Sequence, residues 1–209
     1  MVRLRRPQQS ARNRGLVLEA AEKLFRERGF HGATLEQIAE EAGFSKGVIY
    51  SRFGSKDDLF LALMEQRMER RVNRSLEAVR DAPPGAALRD LWEQSRATRA
   101  DDVPWALAVL EFRVHAARLP DVNRRYAALH ARTLDRVSEI GRALSRRTGH
   151  TPRWSAEDVG RFIAILDIGT VLENLVSEPG ATFELTRHAL WLVWTESGPA
   201  SPEEEEDPL

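Results

Sequence analysis

Apolar residues recur every three to four positions along most of the chain, which is the spacing of one face of an α-helix. Leu16, Ala20 and Leu24 mark such a face near the beginning. No run alternates apolar and polar residues with the β-branched enrichment of a strand, so the pattern predicts an all-α protein. We expect a first helix that ends near Gly29 and further helices over residues 34–42, 45–53, 56–80, 86–100, 104–118, 121–147, 155–177 and 182–197.

Charge is distributed unevenly along the 209 residues. Residues 1–56 carry 11 Lys and Arg against 6 Asp and Glu, a net charge of +5, whereas residues 57–209 carry 20 against 26, a net charge of −6. A basic beginning on an acidic body predicts that the first quarter of the chain binds a polyanion and the rest does not.

Several classes of protein are disfavoured by composition. The chain has no Cys, which removes disulfides, thiolate metal ligands and thiol nucleophiles. The first residues lack the apolar core of a secretory signal, and the most apolar stretch, residues 162–176, is too short and interrupted for a membrane span, so we expect a cytoplasmic protein without membrane contact. No catalytic motif is evident, and we expect no enzyme activity, cofactor or metal.

The most informative stretch is TLEQIAEEAGFSKGVIYSRFGSKDDLF, residues 34–60. Thr34 with Gln37 forms the pattern of a capping box, and Gly43 stands where a helix ends in a left-handed residue. Ser45 is a good N-cap for the next helix, and Ser55 opens the one after it. Two short helices joined by a tight glycine turn predict a helix-turn-helix, whose second helix enters the major groove of DNA.

The second of these helices has residue types that suit DNA. Ile49 and Phe53 point to the core, which leaves an outward or marginal set of Lys46, Gly47, Val48, Tyr50, Ser51 and Arg52. Lys46 and Lys56 are cations for phosphate, and Arg52 suits either phosphate or guanine. Helix starts at Thr34 and Ser45 aim free amide groups at phosphate oxygens.

Residues 11–64 resemble the DNA-binding domain of TetR-family (TetR/AcrR) transcriptional regulators, through AAEKLFRERGFHGATLEQIAEEAG followed by FSKGVIYSRFGSKDDLFLAL. The resemblance implies phosphate-facing roles for Thr34, Tyr50 and Lys56. It implies base-facing or groove-margin roles for Ser45, Lys46, Gly47, Ser51 and Arg52. Val48 departs from the family pattern, in which Thr is common, so a hydroxyl-to-phosphate contact is absent. Ser51 and Arg52 replace the His or aromatic residues common in the family, so sequence preference does not transfer.

The resemblance also implies a homodimeric repressor of a DNA operator, with a small-molecule pocket in the C-terminal helices and the dimer interface on the last two long helices. The run 189–194 is apolar all round its helix, which independently requires cover on both sides. The expected interface residues are Ile168, Leu172, Leu190, Trp191 and Trp194. An intramolecular core position is the alternative for the two Trp residues.

Aromatic residues of the middle helices are candidates for an apolar effector pocket. The expected lining is Trp92, Trp105, Glu111, Phe112, His115, Tyr126, Phe162 and Leu166, with ordinary core packing as the alternative for each. Glu111 and His115 are four residues apart, which also fits half of a metal site or a surface pair.

The predicted organisation is a flexible basic arm over residues 1–10, a helix-turn-helix domain over 11–56, a helical ligand-binding and dimerisation domain over 57–198, and a disordered acidic tail over 199–209. The arginines of the arm suit either the minor groove of DNA or solvent. Two other functions stay open: a small-molecule-binding or enzymatic helical bundle, and a protein-docking adaptor, each with a helix-turn-helix that does not bind DNA.

Overall fold

The computed structural model describes residues 6–83, 85–100, 102–176 and 181–195, and over these ranges the chain is helical without a β-strand, as predicted. The helices in the described ranges are α1 (Arg6–Gly32), α2 (Leu35–Ala42), α3 (Lys46–Phe53), α4 (Lys56–Asp81), α5 (Ala87–Ala100), α6 (Val103–Ala117), α7 (Pro120–Thr148), α8 (Ala156–Glu173) and α9 (Ala181–Thr195). None of these helices combines the length and apolar character that crossing a bilayer requires. The acidic tail and residues 1–5 of the expected arm lie outside the described ranges.

Residues 6–10 differ from the expected flexible arm, because they form the first turns of α1. Pro7 is compatible with a helix start, where its missing N–H costs no hydrogen bond. The side chain of Arg52 on α3 also contacts this segment, through the carbonyl oxygen of Ser10 at 2.7 Å. The sequence of the arm gave no sign of this contact, which comes from 42 residues away.

Local capping explains why α2, α3 and α4 begin and end where they do. Gln37 N–H donates to Thr34 Oγ1 at 3.3 Å while Thr34 N–H donates to Gln37 Oε1 at 3.1 Å, which confirms the capping box. Gly43 ends α2 with φ +72°, a conformation that favours glycine. Ser55 caps α4 through Asp58 N–H at 3.1 Å. Ser45 precedes α3 as predicted, but its side chain makes no capping hydrogen bond.

Residue packing divides the chain into two compact units. Unit 1 comprises Met1–Glu69 and Asp102–His130, and unit 2 comprises Arg70–Asp101 and Ala131–Leu209. The division therefore differs from the expected domain boundary after residue 56, because the first part of α4, all of α6 and the beginning of α7 pack with the helix-turn-helix.

An aromatic cluster explains why α6 belongs to unit 1. Phe25, Phe30, Phe60 and Phe112 are all fully buried. The Phe60 ring stacks on Phe112 at 4.7 Å between centroids, and Phe30 meets both rings edge-on at 5.1 Å. Since each buried Phe contributes roughly 1.5–3 kcal/mol, α1, α4 and α6 share one core.

Unit 2 has its own smaller core, formed by Val79, Ala82, Ala87, Leu144 and Trp194. Within the same unit, α8 and α9 are joined by a buried hydrogen bond between the hydroxyl groups of Thr170 and Thr186, whose oxygens are 3.0 Å apart. A buried hydroxyl pair has a strict geometric requirement, so it fixes the register of these two helices.

Candidate nucleic-acid interface

A surface groove of about 310 Å³ lies where the starts of α2 and α4 approach the end of α3. It brings together Thr34, Tyr50 and Lys56, three residues that the resemblance marks as phosphate-facing. Amide groups in the first turn of a helix lack intrahelical partners, so the two helix starts favour an anion. The complete lining is Ala33, Thr34, Leu35, Tyr50, Gly54, Ser55 and Lys56.

Tyr50 is the large side chain that α3 exposes beside the groove, with 43% of its surface accessible. The ammonium of Lys46 lies 5.4 Å from the centre of its ring, one turn earlier on the same helix. An exposed phenol held next to a cation suits a phosphate or a base edge, because it offers a hydroxyl donor and an apolar ring.

Lys56 has partners that the sequence did not predict. Its ammonium donates to the carbonyl oxygens of Phe30 at 2.8 Å, Ala33 at 3.1 Å and His31 at 3.4 Å, and it lies 4.5 Å from the centre of the Phe30 ring. Burial lowers the pKa of Lys56, against the opposing influence of Asp57 and Glu111. The ammonium therefore caps the end of α1, and a phosphate contact would require it to give up one of these bonds.

Lys46 forms an exposed ion pair with Glu36 of α2. The hydrogen bond between them raises the pKa of Lys46 and lowers the pKa of Glu36. Ser45 and Gly47 beside it are exposed, and Val48 is half-buried. The beginning of α3 thus presents small residues and one cation to solvent, which leaves room for a DNA backbone.

Ser51 is exposed and Arg52 is half-buried, and each has a backbone partner that the sequence did not indicate. Ser51 Oγ donates to the Val48 carbonyl at 3.0 Å, within its own helix. Arg52 Nη1 donates to the Ser10 carbonyl, so the guanidinium is directed to α1.

The expected effector-pocket residues divide between the two units, and those in unit 1 serve its core. Phe112 is fully buried, and Trp105 stacks on Phe60 at 5.2 Å. Tyr126 meets Phe112 edge-on at 5.8 Å. These ring contacts favour ordinary core packing, the alternative that the sequence left open for each of these aromatics.

Glu111 and His115 are engaged in unit 1 as well. Glu111 Oε2 accepts the backbone N–H of His31 at 3.1 Å, and His115 Nε2 lies 3.0 Å from Asp57 Oδ1. Within the described ranges, no group of three or more His, Asp or Glu side chains is placed to hold a metal ion. The i and i+4 spacing of these residues therefore reflects two separate contacts of α6 with α1 and α4.

Trp92, Phe162 and Leu166 lie half-buried in unit 2. The Phe162 ring meets Trp154 at 5.5 Å between centroids. These three residues stay candidates for the effector pocket.

The expected dimer residues have unequal exposure. Trp194 is only 7% exposed and packs in the core of unit 2, where its carbonyl contacts His150, which favours the intramolecular core position that the sequence left open for it. Leu172 and Trp191 are exposed by 50% and 55%, while Ile168 and Leu190 are half-buried. Burial of Trp194 follows from its position opposite Leu144 and Val79.

Three exposed apolar residues of these helices were missed. Ile165 is 67% exposed on α8, and Leu185 and Leu192 are 70% and 56% exposed on α9. Their spacing in the sequence could have identified them. Ile165 is seven residues from Leu172, and Leu185 is seven from Leu192; seven residues are two helical turns, so each pair lies on one face of its helix.

Comparison with known proteins gives a consistent result. Residues 17–63 match the family model described as bacterial regulatory proteins, tetR family. The chain is 40% identical over 67 residues to the transcriptional activator FasR of Mycolicibacterium smegmatis, a match that spans 32% of this chain and only 31% of that protein. It is 28% identical over 181 residues to the transcriptional repressor AcnR of Corynebacterium efficiens, spanning 86% of this chain and 89% of that one.

Solved structures show the same fold. The regulator FadR of Bacillus subtilis, determined in complex with stearoyl-CoA, has a TM-score of 0.64 and 19% identity over 86% of this chain and 97% of that one. The N-terminal match carries the helix-turn-helix, and the fold similarity extends over the remaining helices. The relatives are named as transcriptional regulators rather than enzymes. Residues 17–63 therefore match the helix-turn-helix domain of the tetR family of bacterial regulatory proteins, and the described helices share the fold of solved regulators such as FadR.

Proposed function

We propose that the chain is a homodimeric repressor that binds a pseudo-palindromic operator in bacterial cytoplasm and is released by a small, largely apolar effector. The observation that carries the proposal is the groove between the starts of α2 and α4, next to the exposed face of α3. A phosphate seated there would direct the small residues and the cation of α3 towards the base edges.

Operator recognition requires two copies of the chain. A single eight-residue α3 contacts too few base pairs for specificity, whereas two copies about 34–36 Å apart read both halves of a palindrome. The exposed apolar residues of α8 and α9 support a second copy as their cover. Ile165, Leu172, Leu185 and Leu192 would each gain roughly 25 cal/mol per Å² on burial, which favours an isologous interface.

The effector part of the proposal rests on chemistry and on the fold. FadR of similar fold was determined with stearoyl-CoA, a ligand with a long apolar chain. Trp92, Phe162 and Leu166 of unit 2 provide apolar surface of the same kind. The two α3 helices of the proposed dimer can lie at two different distances from each other, and only one distance fits the operator. An effector that binds better to the dimer with the other distance shifts the population to it, and the operator is released.

Selection from a pool of random DNA duplexes, followed by fluorescence anisotropy at physiological salt, tests DNA recognition. We expect the selected sequences to contain an inverted repeat. Lys46→Gln should weaken binding and reduce the slope of log Kd against log salt by about 0.9 per protomer. Arg80→Gln is the matched control, because Arg80 on α4 is also an exposed cation paired with a carboxylate, that of Asp81, and it lies outside the helices expected to form the dimer.

Two outcomes would contradict the proposal. Selection that returns no sequence above the starting pool would show that the helix-turn-helix does not read DNA. Equal losses for Lys46→Gln and Arg80→Gln would show that net charge, and not α3, determines binding.

A further inference from the structure

Arg52 joins the last turn of α3 to the first turns of α1. Its Nη1 donates to the Ser10 carbonyl at 2.7 Å and lies 3.4 Å from Ser10 Oγ. The Ser10 carbonyl is an acceptor inside a helix, so Arg52 adds a second, charge-assisted hydrogen bond to it. A second contact lies alongside: the guanidinium of Arg14 is 5.2 Å from the centre of the Phe53 ring.

The beginning of α1 has no apolar anchor. Residues 8–12 are all exposed, and their sequence QQSAR contains no large apolar side chain to bury. A helix without an apolar stripe depends on its propensity and on tertiary contacts. The contacts with α3 therefore contribute to holding this segment in place.

Gly15 makes the segment more dependent on those contacts. It is helical, and a Cβ built on it would meet no atom within 4 Å. Glycine inside a helix is unfavourable compared with alanine, because it loses more backbone entropy. Here no close packing or unusual backbone angle requires a glycine, so it acts as a weak point between the buried part of α1 and its exposed start.

The charge of the segment indicates its partner. Glu19 is the first acidic residue of the chain, and Arg12 and Arg14 before it are both exposed. Arg52 places this cationic surface beside α3, the helix that the proposed function directs to the major groove. A second cationic surface next to a DNA-reading helix fits a phosphate of the same duplex.

We propose that Arg52 is a positioning residue, which holds the arginine-bearing start of α1 beside α3 so that Arg12 binds the operator backbone. This inference rests on the proposed function and replaces the sequence expectation that Arg52 itself contacts a phosphate or a base. Arg52 acts by ordering α1, and Arg12 makes the phosphate contact.

A double-mutant cycle on the full chain separates the two roles. Arg12→Gln should reduce the salt slope of operator binding by about 0.9 per protomer. Arg52→Ala should reduce it by the same amount, and Arg12→Gln added to Arg52→Ala should produce little further loss. If Arg52 contacted DNA directly, the two losses would add, and that result would overturn the inference.

A second, independent test asks whether Gly15→Ala restores the operator binding that Arg52→Ala weakens. The Gly15 substitution strengthens the helix at the weak point without touching α3, so Gly15→Ala combined with Arg52→Ala should recover much of the lost salt slope. No recovery would show that Arg52 does not act through the order of α1.

Amide hydrogen exchange of the DNA-free protein distinguishes failure of this inference from failure of the proposed function. Arg52→Ala should increase exchange at residues 10–14 about fivefold, the effect of one lost hydrogen bond, while exchange in α9 stays unchanged. Unchanged exchange at residues 10–14 would overturn the positioning role whether or not the wild-type chain binds DNA. Faster exchange in a chain that binds no operator would contradict the proposed function alone.

Discussion

The ammonium of Lys56 lies 2.8 Å from the carbonyl oxygen of Phe30, so the first residue of α4 holds the last residues of α1, which follow the break in its helical backbone at Gly29. On the other side of the same segment, Glu111 accepts the N–H of His31. Residues 30–33 are thus held between an ammonium and a carboxylate. Because Ala33 and Thr34 form one wall of the groove, the two charged side chains determine where that wall lies.

Lys56→Met should lower both stability and operator affinity. It leaves the carbonyl groups of Phe30 and Ala33 without their ammonium partner, at a cost of about 1–3 kcal/mol in the free energy of unfolding. Urea denaturation measures this cost. Tyr50→Phe is the comparison, because it removes only an exposed hydroxyl: it should weaken operator binding while the urea midpoint stays the same. A Lys56→Met chain of unchanged stability would show that the capping bonds contribute nothing.

Gly29→Ala should be strongly destabilising, because Gly29 has φ +71° and ψ 176°, a backbone conformation that residues other than glycine rarely adopt. The backbone strain costs about 1–3 kcal/mol. A Cβ at this position would also lie 2.6 Å from Glu111 Oε1. In a Glu111→Ala background the second cost disappears, so the loss caused by Gly29→Ala should be smaller there. Equal losses in both backgrounds, measured by urea denaturation, would contradict the close approach of Glu111.

The free energy of unfolding should fall in mild acid, because His130 binds a proton less readily in the folded chain than in the unfolded chain. Burial, and secondarily the charge of Arg113, lowers the pKa of His130 below its ordinary value of 6.5. Between the lowered pKa and 6.5 the unfolded chain binds more protons than the folded one, so stability rises with pH across that window and is complete above it. Protonation therefore favours unfolding.

His130→Gln should remove this part of the pH dependence. The difference in unfolding free energy between wild type and variant should shrink as pH falls below 6.5 and should be constant above pH 8. Urea denaturation at a series of pH values measures it. A difference that grows in acid would mean that His130 is stabilised by protonation.

Substitutions of two apolar residues of α9 should have opposite effects, one on the free energy of unfolding and the other on dimer formation. Trp194→Ala removes a buried ring and should cost about 3–5 kcal/mol in unfolding free energy, with the oligomeric state retained in the folded fraction. Leu185→Glu places a charge on a 70% exposed position, so it should leave the folded monomer intact but prevent the proposed dimer. Sedimentation velocity distinguishes the two, and a Leu185→Glu chain that still sediments as a dimer would place the interface elsewhere.

Features that depend on neighbours in sequence could be predicted. The capping box of Thr34 and Gln37, the end of α2 at Gly43 and the cap at Ser55 all follow from contacts within a few residues. Contacts between residues far apart along the chain could not be predicted, since no local sequence pattern indicates them. Lys56 caps a helix that ends 24 residues earlier, and Arg52 reaches back to Ser10.

The same limit explains the errors on apolar residues. Phe112 and Trp194 have the residue types of a binding surface, and only the tertiary structure shows that other side chains already cover them. Sequence spacing identifies the exposed face of a helix only when the helix has one buried face, and the run 189–194 of α9 is apolar all round.

Unit 1 is assembled from two separate stretches of sequence, because α6 supplies Phe112 to the rings of Phe30 and Phe60. A chimaera that grafts residues 1–69 of this chain onto another regulator would therefore receive a foreign side chain in place of Phe112. Three crossover points, after residues 69, 101 and 130, are needed to transfer residues 102–130 together with residues 1–69 and so carry the complete unit 1 into a new host.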